Sequence, residues 1–485
     1  MNTQVLIVGA GPTGLVLACD LARRGVPHRI VDKAPSYFLG SRGDGLQPRT
    51  LEVFEDLGVL DAITAAGMGA PLLRVYNGGE VVAEMRMAEP TEPTPDVPHP
   101  NIWFVPQYRT EEILRARLAE FGGRVELATE LAGFVQDADG VTATLRHDGV
   151  DEEVRADFLV GADGGRSTVR KGAGIAFIGD TDETAKAMLA DVLVDGLDHS
   201  HGYAWMHGGA GIALSPLPVE DLFNLTGPPP ADGAEPTREW LQELVDTASG
   251  RTDIRIREVV WATSWRANVR TAERFQDGRV LLAGDAAHVC PPTGGQGLNT
   301  GVQDAYNLGW KLATSRELVD TYAAEREPIA QGVLELAARA LKRLMDGEEG
   351  AYQRGSEFHQ LGLNYRGGPL SRDDRALPGP LRAGDRAPDA PCHENGLPTR
   401  LFEVFRGPRW TVLELRDGSA LAGDRTLVDT DGHLGAAYGV DGFVVVRPDG
   451  YVGLVTDDRA AIGAYLDSIA AGAAGSSLPR SHAAR

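Results

Sequence analysis

The residues able to do chemistry gather in three glycine-bearing turns. The first is Gly9-Ala10-Gly11-Pro12-Thr13-Gly14, set directly after the apolar run Val5-Leu6-Ile7-Val8 and followed by Leu15, Leu17, Ala18 and Leu21 at helical spacing. A second short run, His28-Arg29-Ile30-Val31, ends in Asp32, 18 residues past the last glycine. Strand, glycine turn, helix, strand and acid in this order form the pattern that binds a dinucleotide. Gly9 permits the tight turn, Gly11 lets the backbone approach a pyrophosphate, and Gly14 lets helix pack on strand. The helix N-terminus offers unpaired N–H groups to phosphate, and Asp32 can accept from ribose hydroxyls. Alone, this turn does not choose between NAD and FAD.

The other two turns have the same build. Asp157-Phe158-Leu159-Val160-Gly161 is a buried-strand pattern that runs into Ala162-Asp163-Gly164-Gly165-Arg166-Ser167. Residues 278–299 contain a further apolar strand, then Gly284-Asp285, His288, and Cys290-Pro291-Pro292-Thr293-Gly294-Gly295-Gln296-Gly297-Leu298-Asn299. That segment enters a helix with apolar Leu298, Val302, Ala305, Leu308 and Leu312, an amphipathic spacing. Read on residue type alone, Asp163 is a turn-capping carboxylate, Asp285 a direct cofactor contact, and His288 a packed or capping ring. Cys290, with no partner thiol in view, reads as a small buried filler.

The three motifs, in this order over roughly residues 3–345, resemble the flavoprotein aromatic hydroxylases, FAD-dependent monooxygenases of the para-hydroxybenzoate hydroxylase type. The resemblance implies that the first turn binds the ADP part of FAD and that Asp163 lies in a motif near FAD and NAD(P)H. It implies that Asp285 bonds the ribityl chain and that the backbone of Gly297, Leu298 and Asn299 lies against the flavin N1–C2=O edge. There a helix N-terminus would stabilise the negative charge of reduced flavin. Pro291, Pro292 and Gly294 match the place where oxygen adds. Gln107, opening Gln107-Tyr108-Arg109-Thr110-Glu111, matches a contact to the ribityl–pyrophosphate region, and Arg42 matches a phosphate-binding arginine. Asp44 departs from relatives that carry a second basic residue there. Tyr322, Glu325, Arg326 and Pro328 match a common interdomain helix.

The implied reaction consumes NADPH or NADH and O2. Oxygen adds at flavin C4a, and the hydroperoxide passes one atom to an electron-rich carbon of a small phenolic or polycyclic aromatic substrate. The flavin supplies the difficult chemistry, which accounts for the lack of a dense acid–base cluster. The same scaffold also serves Baeyer–Villiger oxidation, epoxidation or N-hydroxylation of an antibiotic, and the sequence leaves these open. A flavin halogenase is disfavoured because Trp261-Ala262-Thr263-Ser264-Trp265 lacks the Trp-x-Trp-x-Ile-Pro pattern. Readings from other classes are a flavin- or drug-binding protein without turnover and an NAD-linked dehydrogenase without flavin. The latter leaves the Asp163 and Asp285 turns unexplained.

These turns need a scaffold, and the expected fold is α/β. The resemblance implies a Rossmann-like FAD-binding domain drawn from residues 1–70, 101–174 and 276–345, with an antiparallel-sheet substrate domain inserted at 71–100 and 175–275 to roof the substrate pocket. Within the insertions Tyr76, Tyr203, Trp205, His207 and Phe223, with Trp103, are candidate pocket walls, each equally readable as plain core. Residues 346–385, rich in Gly, Arg and Asp, read as a linker. Residues 386–470 resemble the thioredoxin-like tail of larger phenol and polyketide hydroxylases; Cys392 stands alone, so redox work there is not expected. Residues 471–485 read as a disordered tail.

Composition bounds the rest. The 485 residues carry 47 basic against 69 acidic side chains, a formal net charge of −22. That balance disfavours nucleic acid and anionic membrane as partners. Three scattered cysteines, Cys19, Cys290 and Cys392, make neither a disulfide framework nor a metal site, which suits a reducing, cytoplasmic compartment. The apolar stretch from Val5 to Leu21 is interrupted by three glycines and Asp20, so neither a signal peptide nor a membrane span is expected. The resemblance implies a homodimer.

Overall fold

The computed structural model describes residues 2–207, 210–291, 294–348, 350–376 and 379–470. The expected tail 471–485 and Pro292 lie outside the described residues. The chain divides into two units, one made of Met1–Tyr306 with Arg326–Gly362, the other of Asn307–Glu325 with the residues from Leu363 onward.

The first unit is built on the strand Asn2–Val8, whose Val5, Leu6 and Ile7 are fully buried. Such a run has no polar face to give to water, so it takes a parallel neighbour on each side and is covered on both faces. The neighbours are His28–Val31 and Val150–Gly161, and Val280–Leu282 joins the outer side of the latter in parallel. Val8 stands opposite both Val31 and Gly161, and Gly161 opposite Leu282. The three glycine turns, far apart in the chain, therefore leave the carboxyl ends of adjacent parallel strands in one sheet. A crevice at the carboxyl ends of such strands is where α/β folds bind ligands.

The second sheet has eight strands. Its spine is the antiparallel pair Phe177–Asp195 and Arg255–Ala272, and Leu72–Asn77 with Glu80–Met85 extends it at the far side. The helix Arg238–Ser249 lies on one face. Thr237 caps its start by accepting from the Trp240 N–H, and Gly250 ends it at φ +66°, a left-handed stop that glycine adopts freely. Leu241, Val245 and Ala248 of that helix pack on Met188, Ala190, Val192, Ile212, Leu214 and Leu225.

The second unit has its own eight-stranded sheet, in which Thr411–Arg416 pairs antiparallel with Gly442–Val446 and Ser419–Ala422. Its interior holds a fully buried charge network. Lys311 Nζ lies 2.7 Å from Glu325 Oε2, and Arg447 lies 2.7 Å from Glu325 and 2.6 Å from Asp449. The Trp310 indole N–H also donates to Asp449 at 3.0 Å. Charges this deep persist only when paired, since an isolated buried ion is very costly.

The segment 346–385 is not a free linker. Arg372–Asp373 pairs in parallel with Val452–Thr456 and Tyr365 N–H donates to Gly384 O, so its later half folds with the second unit. Its earlier half belongs to the first. Residues 307–325, expected in the FAD-binding domain, group with the second unit because Lys311 and Glu325 find their partners there.

Candidate functional site

At the first turn each glycine has a separate geometric reason. Gly9 sits at φ +105°, and a Cβ there would overlap the Ala162 carbonyl, the point at which the first turn touches the second. A Cβ on Gly14 would overlap the Gly9 carbonyl oxygen, so Gly14 is required by packing alone. Gly11 differs: its φ of −72° suits any residue, and a Cβ would meet nothing within 4 Å. The open space beside Gly11 faces the N-terminus of the helix Pro12–Arg23, which carries no side-chain cap. Asp32 braces the turn by accepting from Ala10 N–H at 2.8 Å and Ala34 N–H at 2.9 Å. A carboxylate has four acceptor positions, so capacity for ribose hydroxyls remains. An open cradle, free N–H donors and a braced acid fit the diphosphate and ribose of FAD.

In the second turn, Asp163 accepts from Ser167 Oγ–H at 2.5 Å and Thr168 N–H at 2.6 Å, capping the short helix Thr168–Gly172. Arg170 then donates to Gly165 O at 3.0 Å and to Ala286 O at 2.9 Å, tying the second turn to the third.

The third turn is held from beneath. Gly284, at φ +61°, lies so close to Thr13 that a Cβ would overlap the threonine side chain. The Gly284 N–H donates to Asp304 Oδ2 at 3.0 Å, His288 Nε2 lies 2.6 Å from the same oxygen, and Arg326 Nε–H donates to Oδ1 at 2.7 Å. Burial raises the Asp304 pKa, but Arg326 and His288 outweigh it and hold the carboxyl down at about 2. Asp285 is the opposite case. Its side chain is reached by water yet surrounded by protein, and burial pushes its pKa upward against the charges of His288 and Arg42. Accessible and surrounded together describe the wall of an open recess. A Cβ on Gly297 would lie 3.8 Å from Asp285 Oδ1 and 3.5 Å from Cys290 Sγ, so these three residues border one space. Burial pushes the Cys290 thiol to about 12, which keeps it protonated and unreactive.

The loop 41–47 packs on the turn Gly294–Asn299. The Asn299 side chain, fully buried, accepts from Gln47 N–H at 2.8 Å and donates to Gly45 O at 2.8 Å and Gly295 O at 2.6 Å. It is consumed as a brace. Gly294 O accepts from Gln296 Nε2 at 2.8 Å, and Gln360 bonds both Gln296 and Gln303 in a buried amide network. Pro291 is buried beside this turn. Gln107 accepts from Arg42 N–H at 3.3 Å and donates to Glu111 at 2.8 Å, while the exposed Arg42 guanidinium stands 4.7 Å above the Phe38 ring. A Cβ on Gly43 would be 3.4 Å from Leu298. Arg42, Gln107, Asp285 and the Gly297–Asn299 turn are thus brought to one cavity.

The aromatic candidates fall elsewhere. Tyr203, Trp205 and Phe223 are buried in the cluster beneath the helix Arg238–Ser249, and Tyr76 stacks on Tyr203 and Trp205 at ring distances of 6.3 and 5.3 Å. Alternation along a strand sends neighbours to opposite faces. Asp191 and Asn224, between residues of that cluster, point to the other face, where Ser41 and Asp44 act on Asp191. The first face is core, so those aromatics do not line the cavity. His207 ends the strand His201–His207, and Trp103 lies in a small sheet with Gly45–Leu46 and Met68–Gly69. Sequence reasoning missed Gln47, Arg170, Asp304, Gln360 and Asp191. Their residue types occur everywhere in the chain, and only their partners mark them.

Among the described residues no group of His, Cys, Asp and Glu suits a metal ion, and no helix is long and apolar enough to cross a membrane. Residues 2–337 match the family described as FAD binding domain. A flavin-dependent monooxygenase of Mycobacteroides abscessus is 44% identical over 95% of this chain and 99% of its own length. A 12-dehydrotetracycline 5-monooxygenase/anhydrotetracycline 6-monooxygenase of Streptomyces rimosus is 36% identical over 93% and 95%. Among solved structures, aklavinone-11 hydroxylase with FAD and aklavinone matches with a TM-score of 0.80 at 28% identity, covering 97% of this chain and 98% of that one.

Proposed function

Because this chain belongs to the FAD binding domain family of flavin-dependent monooxygenases, we propose that it hydroxylates a phenolic or polycyclic aromatic compound, and that the cavity at the three turns is where it does so. The observation that carries this reading is the convergence of the turns at Gly9–Gly14, Asp163–Ser167 and Gly284–Asn299 at the carboxyl ends of adjacent parallel strands in one sheet, with unfilled space at Gly11 and an accessible Asp285. When bound, FAD would supply the hydride-accepting and oxygen-activating chemistry, with NAD(P)H as reductant, one oxygen atom going to the ring and the other to water.

The protein's own part is binding, orientation and charge. The N-terminus of Pro12–Arg23 holds the pyrophosphate, and Gly11 leaves room for it. Asp32 accepts from the adenosine ribose, and Arg42 offers a positive charge to phosphate. Asp285 bonds the ribityl hydroxyls. The N-terminus of Gly297–Leu312 presents partial positive charge where the reduced flavin carries negative charge. Gln47, Asn299 and the glutamine network fix the turn that bears Pro291 and Gly294, and its closure excludes water that would waste reducing equivalents as peroxide.

A fused-ring substrate is supported by the relative named for anhydrotetracycline and by the similar structure holding aklavinone. The three free cysteines suit a reducing cytoplasm.

The test is to screen fused-ring phenols for stimulation of NAD(P)H consumption while peroxide and product mass are followed. The expected result is faster consumption with little peroxide and a product heavier by one oxygen atom. Consumption unchanged by every phenol, with all electrons recovered as peroxide, would defeat the substrate class.

A further inference from the structure

We propose that Asp191 is a positioning residue, a latch that holds the loop bearing Arg42 against the second sheet through Ser41. The inference rests on the reading above, in which Arg42 and Gln107 face FAD.

Asp191 lies in the strand Phe177–Asp195 between Ala190 and Val192, both in the core beneath the helix Arg238–Ser249. Strand alternation therefore turns Asp191 to the opposite face, where it is fully buried. Its Oδ1 accepts from Asn224 Nδ2 at 2.9 Å, directly across the strand pair, and its Oδ2 has no hydrogen-bond partner. An unpaired buried carboxylate oxygen is an uncommon feature that needs a reason. What faces it is Ser41, whose N–H and hydroxyl both favour the ionised carboxyl.

Ser41 leads straight to the expected cofactor contacts. Its Oγ accepts from Gln107 N–H at 3.2 Å, and Gln107 Oε1 accepts from Arg42 N–H at 3.3 Å. A second attachment runs beside the first. Asp191 stands opposite Trp261 on Arg255–Ala272, and the Trp261 ring packs edge-on to Phe38 at 5.3 Å. Gly40 lies so close to that indole that no Cβ fits, and Arg42 rests over Phe38. Residues 38–42 are thus pinned to the second sheet by one aromatic and one polar contact. The polar one runs from the Ser41 N–H and hydroxyl to the Asp191 carboxyl.

The latch depends on charge, because Ser41 donates more strongly to a carboxylate than to a carboxylic acid. Every group that faces Asp191 bears on this. Burial raises its pKa and Asp44 on the loop adds to the rise, while Asn224 on the neighbouring strand and Ser41 oppose it. The result is a carboxyl near 6. Tyr108 on the helix Gln107–Glu120 feels the Asp191 charge. The latch is closed above that value and opens as the pH falls through it.

The experiment follows FAD release from the full-length holoenzyme on dilution, by flavin fluorescence, from pH 5 to 8. The wild type should release FAD faster as the pH drops through about 6. Asp191→Asn keeps the acceptor for Asn224 but removes the charge. It should release FAD on the order of tenfold faster at pH 7.5, the effect of about one pKa unit of interaction, with a flattened pH profile. Ser41→Ala should do the same, and the double variant should add little, as coupled partners do. If Asp191→Asn does not fold, Ser41→Ala alone is read by the same criterion. Wild-type release rates and an unchanged profile in the variants would overturn the latch while leaving the proposed site intact. A wild type that takes up no FAD would overturn the proposed site itself.

Discussion

Gly11 and Gly14 carry the same residue type for different physical reasons, and substitution separates them. Gly14 is enclosed by backbone, whereas Gly11 borders open space at an ordinary φ of −72°. Gly14→Ala should therefore destabilise the fold by about 1–3 kcal/mol, as overpacking does. Gly11→Ala should leave stability unchanged or slightly raised, since the unfolded chain loses freedom. It should nevertheless weaken FAD binding by about tenfold, or about 1.4 kcal/mol, because the new methyl occupies the cradle. Thermal unfolding without FAD and FAD titration of each variant check this; equal loss of stability in both would contradict the steric assignment. The sequence pattern made these glycines legible because spacing alone identifies the turn. It did not show Asn299 as a side-chain brace or Asp304 as the anchor of the Asp285 turn. Those roles depend on Gln47, His288 and Arg326, which only the folded chain brings near.

Among elements, the turn-bearing strands were legible because a run apolar on both faces has one comfortable place, inside a parallel sheet. The aromatic stretch His201–His207 was harder. A period of two tells which residues share a face, but not which face a helix will cover. The helix Arg238–Ser249 takes the face of Tyr203 and Trp205, leaving the face toward Ser41 to Asp191 and Asn224. The helices Gly297–Leu312 and Tyr322–Met345 are joined by Asp304 and Arg326, and this pair has a pH consequence. The Asp304 carboxyl is held at about 2 against an ordinary 3.8. A lowered pKa contributes stability that is full above 3.8 and is lost as the pH falls through about 2. Urea unfolding of the wild type should thus lose about 2 kcal/mol between roughly pH 4 and pH 2 from this group. Asp304→Asn should be less stable at neutral pH by about 3–5 kcal/mol, because the buried Arg326 guanidinium loses its carboxylate partner, and should show a shallower acid slope. An acid slope identical to the wild type would remove Asp304 from this role.

On the scale of the whole molecule, composition excluded more than it assigned. A net charge of −22 argues against polyanionic partners, but the cofactor and reaction came from three motifs in order. Unit boundaries were the least legible feature. A segment rich in Gly, Arg and Asp looks solvated until its partners are known, yet Arg372–Asp373 completes a sheet edge and Gln360 braces the Gly294 turn. Charge pairs such as Lys311–Glu325 and Arg447–Asp449 likewise carry no sequence signal, because burial rather than residue type makes them structural. Function here depends on the three turns holding FAD able to accept hydride and meet oxygen. The visible absorption spectrum of the purified protein, recorded in air as NADPH is added with a phenolic substrate present, tests it most directly. The expected result is a yellow flavin spectrum that bleaches and then recovers as NADPH runs out. A colourless protein that takes up no added FAD would contradict it.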